Sequence, residues 1–143
     1  MSERTISGSL PVAFRYTPGV ANTRFLEALR DRGVFLGSRC DACDVTVVPA
    51  RMFCERCLGA TPTEVECGPE GTLESWTVGS VGIDDERLDR QVTLGLVRLD
   101  GANTVLVHRL LDVREPAFGM RVRAELAPER AASILDVEGF RPA

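Results

Sequence analysis

Four cysteines constrain the fold of this chain more than any other feature of its sequence. They form two C-x-x-C pairs, Cys40/Cys43 and Cys54/Cys57, separated by ten residues. Thiolates on two paired turns supply all four ligands of a tetrahedral zinc ion and leave no open coordination position. The spacing therefore predicts one structural zinc ion, held by these four residues in a rubredoxin-like zinc ribbon that performs no chemistry at the metal.

Two other uses of paired cysteines fit the sequence less well. Disulfide bonds form in oxidising compartments, and nothing in the sequence indicates secretion. An iron–sulfur cluster also takes four thiolates, but two knuckles joined by a short hairpin favour zinc. Residues 45–53 begin with β-branched residues and contain Pro49, a pattern that predicts a strand, a turn and a return strand between the knuckles.

The composition is typical of a soluble protein of one large domain or two small ones. The chain has 143 residues, of which 44% are hydrophobic and 27% are charged, and both fractions are ordinary for a globular protein. No apolar run approaches the ~20 residues that span a bilayer, and the N-terminus lacks the apolar segment of a signal peptide. We therefore expect a cytoplasmic protein that does not bind membranes.

Charge is distributed unevenly along the sequence. Residues 1–57 carry eight Arg and six acidic residues, a net charge of +2, whereas residues 58–143 carry nine Arg and fifteen acidic residues, a net charge of −6. An acidic C-terminal half repels a phosphate backbone. The charge pattern therefore argues against nucleic acid as a partner.

The hydrophobic pattern divides the chain into three parts. Residues 1–21 are predicted to be an extended arm, because Gly and Pro interrupt any helical period. Residues 22–62 hold a helix followed by the ribbon, and residues 63–143 hold a barrel. Apolar residues alternate in the arm, which leaves open whether it is a flexible terminus or lies extended against the body or a partner.

One helix is predicted, over Asn22–Arg32. Asn22 or Thr23 can accept hydrogen bonds from its first free N–H groups, and Gly33 can adopt the left-handed conformation that ends it. A short strand over residues 34–39 then leads into the first knuckle.

The C-terminal part reads as five strands separated by turn signals, with no helix among them. The predicted strands lie at 71–81, 92–99, 104–111, 121–126 and 134–140. Residues 84–90 are predicted to form a charged loop, and residues 101–103 to form a tight hairpin turn. A mostly β chain of this kind favours a small closed barrel, for which the OB-fold is the leading candidate.

Few residues are available for catalysis. His108 is the only histidine and Cys67 is the fifth cysteine. A Cys67/His108 pair could supply the nucleophile and base of a thioesterase or acyltransferase, but the acidic neighbours of Cys67 raise a thiol pKa and oppose activation. No Gly-rich phosphate-binding fingerprint is present. We therefore assign no catalytic residue.

Arginines in or beside the ribbon are the candidate contacts for an anionic ligand such as a nucleotide diphosphate: Arg39, Arg51 and Arg56. The simpler alternative is that they pair with neighbouring acidic residues. An OB barrel also suggests single-stranded nucleic acid as ligand, which remains the second hypothesis although the C-terminal half is acidic and poor in aromatic residues.

The order of motifs resembles that of one known family. A helix containing Phe-Leu-Glu-Ala-Leu-Arg leads into Leu-Gly-Ser-Arg-Cys-Asp-Ala-Cys and then Val-Pro-Ala-Arg-Met-Phe-Cys-Glu-Arg-Cys. The segments Gly-Thr-Leu-Glu-Ser-Trp-Thr-Val, Phe-Gly-Met-Arg-Val-Arg and Gly-Phe-Arg-Pro follow. Over residues 22–142 this series resembles the acyl-CoA-associated zinc-ribbon/OB-fold family, also called domain of unknown function 35.

The resemblance implies an accessory subunit rather than an enzyme. Members of this family bind thiolase-superfamily enzymes in hetero-oligomers, including thiolases and lipid-transfer-protein-like aldolases. Other partners are MaoC-like hydratases of steroid side-chain degradation. The resemblance implies zinc at the four paired cysteines, makes CoA a candidate contact, and leads us to expect acyl-CoA as an indirect ligand. The family's knuckles often read Cys-x-x-Cys-Gly, whereas Asp44 and Leu58 occupy the glycine positions here.

Overall fold

The computed structural model describes residue 8, residues 16–81 and residues 87–143. Most of the predicted arm and the first part of the predicted charged loop lie outside these ranges. The described elements, in chain order, are α1 (Gly19–Arg32), β1 (Phe35–Cys40), β2 (Val45–Val47), β3 (Thr63–Cys67), β4 (Glu70–Val81), β5 (Arg87–Leu99), β6 (Leu106–Arg109), β7 (Arg121–Leu126), a 3-10 turn η1 (Ile134–Asp136) and β8 (Val137–Pro142).

Helix α1 begins three residues before the predicted start, and the predicted cap is wrong. Its first residue is Gly19, and the preceding Pro18 makes no side-chain capping bond. Gly19 has a φ of 77°, a left-handed conformation that glycine adopts readily and that turns the chain into the helix ahead of Asn22 and Thr23, which both lie inside it. Gly33 ends the helix as predicted, with φ 68° and its N–H donating to the carbonyls of the last turn. No helix in the described ranges is long and apolar enough to cross a membrane.

The N-terminal sheet has three strands in the order β2-β1-β3, all antiparallel. The prediction of a hairpin between the two knuckles is wrong. Strand β2 pairs with the preceding strand β1, and residues 50–53 do not form the predicted return strand. In the observed register Cys40 lies opposite Val45, so the first knuckle is the turn of the β1–β2 hairpin. Sequence also missed β3, which pairs with the other edge of β1.

The C-terminal sheet has five strands in the order β6-β5-β4-β7-β8. Its two outer strands meet through a parallel bridge between Leu110 and Phe140, which closes the sheet into a barrel. Five strands joined in this way give the predicted OB-fold. Two predicted strand positions need correction: residues 134–136 form η1 instead of a strand, and Arg87–Arg90 extend β5 instead of forming a loop.

The ribbon sheet and the barrel share one hydrophobic core. Phe25 of α1, Phe35 of β1 and Phe140 of β8 are 0–1% exposed. Phe35 lies between the other two rings, with centroids 6.5 Å from Phe25 and 6.4 Å from Phe140. Aromatic contacts at these separations contribute beyond their buried area, so the two parts of the chain form one packed body.

Hydrogen bonds also join β2 to the connection between β5 and β6. The Thr46 N–H donates to Asn103 Oδ1 at 2.8 Å, and the Asn103 N–H donates to the Thr46 carbonyl at 2.8 Å. Thr104 Oγ1 accepts from the Val48 N–H at 2.8 Å and donates to the Val48 carbonyl at 2.9 Å. These bonds satisfy backbone groups of β2 and of the adjoining Val48 along the edge where β2 has no strand partner in the described ranges.

Candidate metal centre and surrounding surface

The four paired cysteines converge on one point. Their Sγ atoms all lie within 4.8 Å of one another, and the Cys40 and Cys57 sulfurs are 3.6 Å apart. A zinc ion with Zn–S bonds of about 2.3 Å places its sulfur ligands about 3.8 Å apart. The donor type, number and spacing therefore fit one tetrahedral zinc ion.

Backbone turns position the thiols. Cys40 is the last residue of β1, and Cys43 lies in the turn before β2. The second knuckle closes through two backbone bonds, from the Cys54 N–H to the Gly59 carbonyl at 2.8 Å and from the Leu58 N–H to the Cys54 carbonyl at 2.9 Å. Local backbone bonds therefore hold the second knuckle, and the pairing of β1 with β2 holds the first.

Backbone N–H groups around the second knuckle stabilise negative charge on sulfur. The N–H groups of Cys57 and Arg56 point at Cys54 Sγ and lower the pKa of that thiol to about 7. The Arg56 N–H lies 3.4 Å from this sulfur. The pKa of Cys43 is raised to about 12 by its hydrogen bond with Cys57 and by burial. Four thiols this close together do not all lose their protons while no cation is present. A bound cation stabilises all four thiolates, so the cluster is fully ionised only when it holds one.

The residue after each knuckle has a left-handed backbone. Asp44 has φ 51° and Leu58 has φ 60°. Glycine reaches this region without the steric penalty that other residues carry. The backbone of each knuckle therefore has the conformation that a Cys-x-x-Cys-Gly sequence favours. In this chain Asp44 and Leu58 adopt that conformation in place of glycine.

The three arginines proposed as anion contacts lie near the metal centre and are exposed. Arg39 pairs with Asp44 and, at 3.7 Å, with Asp41. Arg51 pairs with Glu55 at 2.7 Å. The side chain of Arg56 has no ion pair within the described ranges. Exposed pairs of this kind contribute little free energy, so an anionic ligand could compete for these arginines, and that role stays a prediction.

Cys67 and His108 do not form a catalytic pair in the described structure. Cys67 ends β3 and is 3% exposed in the shared core, where burial raises the pKa of its thiol. His108 lies on β6 with its ring 6.2 Å from the ring of Phe140, and burial lowers its pKa. No hydrogen bond joins the two side chains in the part of the chain that the structure describes.

Sequence reasoning missed an apolar surface between β6 and the η1–β8 segment. A groove of about 680 Å³ runs there, and we call it the β6–β8 groove. Its lining residues are Leu94, Val107, His108, Arg109, Leu111, Ile134, Leu135, Val137, Glu138 and Arg141. Ser133 and Asp136 form a capping box that starts η1 and leaves Ile134 and Leu135 exposed. The Ser-x-x-Asp spacing was the available signal, because such spacing marks helix starts.

Comparison with known proteins identifies both parts of the chain. One family profile, described as "ChsH2, rubredoxin-like zinc ribbon domain", matches residues 28–63. A second, described as "ChsH2, C-terminal OB-fold domain", matches residues 64–127. A comparison with curated protein sequences found no match.

Two solved structures share the fold. A protein of unknown function from the DUF35 family of Sulfolobus solfataricus is 22% identical, with a TM-score of 0.66 over 87% of this chain and 84% of its own. A chain of the "Ltp2-ChsH2(DUF35) aldolase" is 24% identical, with a TM-score of 0.65 over 90% of this chain and 98% of its own. These two structures support the fold, and the two adjoining ChsH2 profiles, which together cover 100 of the 143 residues, show that the chain belongs to the ChsH2-type family of zinc-ribbon/OB-fold proteins.

Proposed function

We propose that this chain is a non-catalytic accessory subunit of a thiolase-fold acyl-CoA enzyme. The enzyme class that we favour is a lipid-transfer-protein-like aldolase, with steroid side-chain degradation as the pathway. One observation supports this most: the chain matches ChsH2 profiles over both of its parts, and its fold covers 98% of a chain from the Ltp2-ChsH2 aldolase. Because that relative is part of an aldolase complex, we infer that this chain also acts as a subunit of such a complex.

In this proposal the zinc ion bound by Cys40, Cys43, Cys54 and Cys57 is structural. Four thiolates leave no coordination position for water or substrate. The ion holds two turns that contribute few side chains to the core, since only Cys40 and Cys54 of the four ligands are fully buried. Its function is to fix the shape of a ribbon that would otherwise be too small to fold.

The state of the candidate nucleophile supports a non-catalytic role. A nucleophilic thiol needs a lowered pKa and access to substrate. Cys67 has a raised pKa and lies inside the core. A thioesterase acting through Cys67 and His108 would therefore require a large rearrangement of the packed body.

The surface of the barrel supports a protein partner over single-stranded nucleic acid. Barrels that bind single strands stack bases on aromatic side chains within a basic groove. The β6–β8 groove instead presents aliphatic residues such as Val107 and Leu135. Arg39, Arg51 and Arg56 remain our candidate contacts for CoA, and Arg56 is the best placed because its side chain is exposed and without an ion pair in the described ranges.

Affinity purification of the tagged chain from its native host, followed by mass spectrometry, tests this proposal. We expect a thiolase-fold enzyme in stoichiometric amount, with a MaoC-like hydratase as a further candidate partner. The purified enzyme should then turn over its acyl-CoA substrate faster when the chain is added back. Purification of the chain with nucleic acid, or alone with esterase activity, would contradict the proposal.

A further inference from the structure

We propose that the β6–β8 groove docks a segment of the partner enzyme that carries apolar anchor residues and charges complementary to the rim. This proposal rests on the proposed function and adds where the partner binds. The groove lies on the barrel, between β6 and the η1–β8 segment, and contains none of the zinc ligands or the candidate CoA contacts.

Three apolar residues of the groove are exposed to solvent, whereas Val137 beneath them is buried. Val107 is 64% exposed, Ile134 is 44% exposed and Leu135 is 78% exposed, and all three line the same groove. Contiguous apolar surface bordered by polar residues is typical of protein interfaces. Burial of three such side chains would remove unfavourable contact with water and stabilise a complex.

The open shape of the groove favours a protein segment over a small apolar ligand. Small ligands bind best in cavities that enclose most of their surface. Here the two most exposed apolar side chains, Val107 on β6 and Leu135 on η1, lie on its two walls, so the groove is a trough open to solvent. A side chain of a partner protein can occupy such a trough while the rest of the partner covers the walls.

Charges at the rim specify the chemistry of that segment. Arg109 on β6 and Glu138 on β8 line opposite walls and have no ion pair in the part of the chain that the structure describes. Arg141, in contrast, already pairs with Asp112 and Glu125. A docking segment should therefore place a carboxylate near Arg109 and a basic group near Glu138, and this arrangement would fix its direction along the groove.

Single substitutions on the exposed walls test the proposal, with the co-purified thiolase-fold enzyme as the probe. Val107→Asp and Leu135→Asp each put a charge into the apolar contact and should weaken binding roughly tenfold or more. Val20→Asp is the matched control for the first, because Val20 is 56% exposed on α1. Phe118→Asp is the control for the second, because Phe118 is 79% exposed outside the groove. Both controls should bind within about twofold of the unmodified chain.

Three further readouts make the result decisive. All four variants should keep one zinc ion and a melting temperature close to that of the unmodified chain, since the substituted side chains face solvent. Arg109→Glu should weaken binding and reduce its dependence on salt, because the attraction at Glu138 is then opposed by repulsion at position 109. Light scattering of the chain alone should give a monomer whether or not Val107 is substituted.

Two outcomes would overturn the docking site alone: normal binding by Val107→Asp and Leu135→Asp, or a dimer of the chain that Val107→Asp dissociates. In the second case the groove would bind another copy of the chain. Failure to recover any thiolase-fold enzyme would overturn the proposed function, and the docking proposal with it.

Discussion

The rings of Phe35 and Phe140 lie 6.4 Å apart at an interplanar angle of 29°, although one belongs to the zinc-ribbon sheet and the other to the last strand of the barrel. Both side chains are fully buried. A contact of this kind makes the ribbon and the barrel contribute to one core, so neither part can lose its packing without exposing apolar surface of the other.

Removal of zinc should therefore destabilise the barrel as well as the ribbon. Cys54→Ser should weaken zinc binding, because one of the four thiolates is lost, and should lower the melting temperature by well over 10 °C. Trp76, the only tryptophan, lies on β4 of the barrel and reports this distant change by fluorescence.

Cys67→Ala is the control for this experiment, because Cys67 is a cysteine outside the metal centre. It should retain one zinc ion and lose only the stability expected of a smaller core side chain. An unchanged Trp76 melting curve for Cys54→Ser would show that the two parts unfold independently.

Replacement of Leu58 by glycine should stabilise the protein. Leu58 has φ 60°, and the left-handed conformation costs about 1 kcal/mol for a residue with a Cβ. Leu58→Gly should therefore raise the free energy of unfolding by about 1 kcal/mol, as measured by urea denaturation with zinc present. The matched control is Leu135→Gly, since Leu135 has the same exposed fraction, 78%, without a positive φ. A loss of stability in both variants would contradict the assigned strain.

Two glycines of β4 should respond to alanine to different extents. A Cβ at Gly71 would lie 2.5 Å from the carbonyl oxygen of Arg98, a backbone atom in the paired strand, whereas a Cβ at Gly79 would meet nothing closer than 3.8 Å. We expect Gly71→Ala to cost about 1–3 kcal/mol and Gly79→Ala to change stability by less than about 1 kcal/mol. Equal free energies of unfolding for the two variants would show that the strands can separate to accept a methyl group.

The stability of the protein should fall in mild acid because of His108. Burial lowers the pKa of this side chain below its ordinary value of 6.5; a hydrogen bond with the backbone of Ile134 opposes this shift, and the positive charge of Arg109 adds to it. Protonation of His108 therefore favours the unfolded state. The contribution of neutral His108 to the free energy of unfolding is complete above pH 6.5, and it is lost as the pH falls through the folded-state pKa of this side chain. The lowered pKa values of Asp31 and Asp100 act below this window, since their ordinary value is 3.8.

His108→Gln, which cannot titrate, should flatten the dependence of unfolding free energy on pH between 7 and 5. Both proteins contain the same zinc ligands, so any acid sensitivity of the metal centre is common to them and cancels in the comparison. Identical pH profiles would mean that His108 becomes accessible to water in the folded protein.

The metal centre and the general architecture were predictable from local sequence. The two C-x-x-C pairs place four thiols on short turns, and this depends on no distant residue. Strand positions such as Arg121–Leu126 followed from alternation alone, and Gly33 marked the end of α1 because few other residues adopt its backbone conformation. The resemblance to a known family added the expected partners.

Strand pairing was decided by tertiary structure. Residues 50–53 were predicted to be the return strand, but β2 pairs with β1, whose Phe35 and Leu36 lie in the core shared with α1 and the barrel. β3 was missed although Thr63–Cys67 alternates acidic residues with Thr63, Val65 and Cys67, and its strand partner β1 lies far away in the sequence. The intrinsic strand propensity of a segment is a weak predictor of its structure where a strand distant in the sequence supplies its hydrogen-bond partners.

The β6–β8 groove could be found only in the folded protein. Val107 and Leu135 are 28 positions apart in the sequence, and each alone is an ordinary surface residue. The barrel closes through Leu110 and Phe140, and that closure brings their two segments together. Short-range chemistry was therefore sufficient for the zinc ligands, whereas the candidate partner surface depends on how distant strands meet.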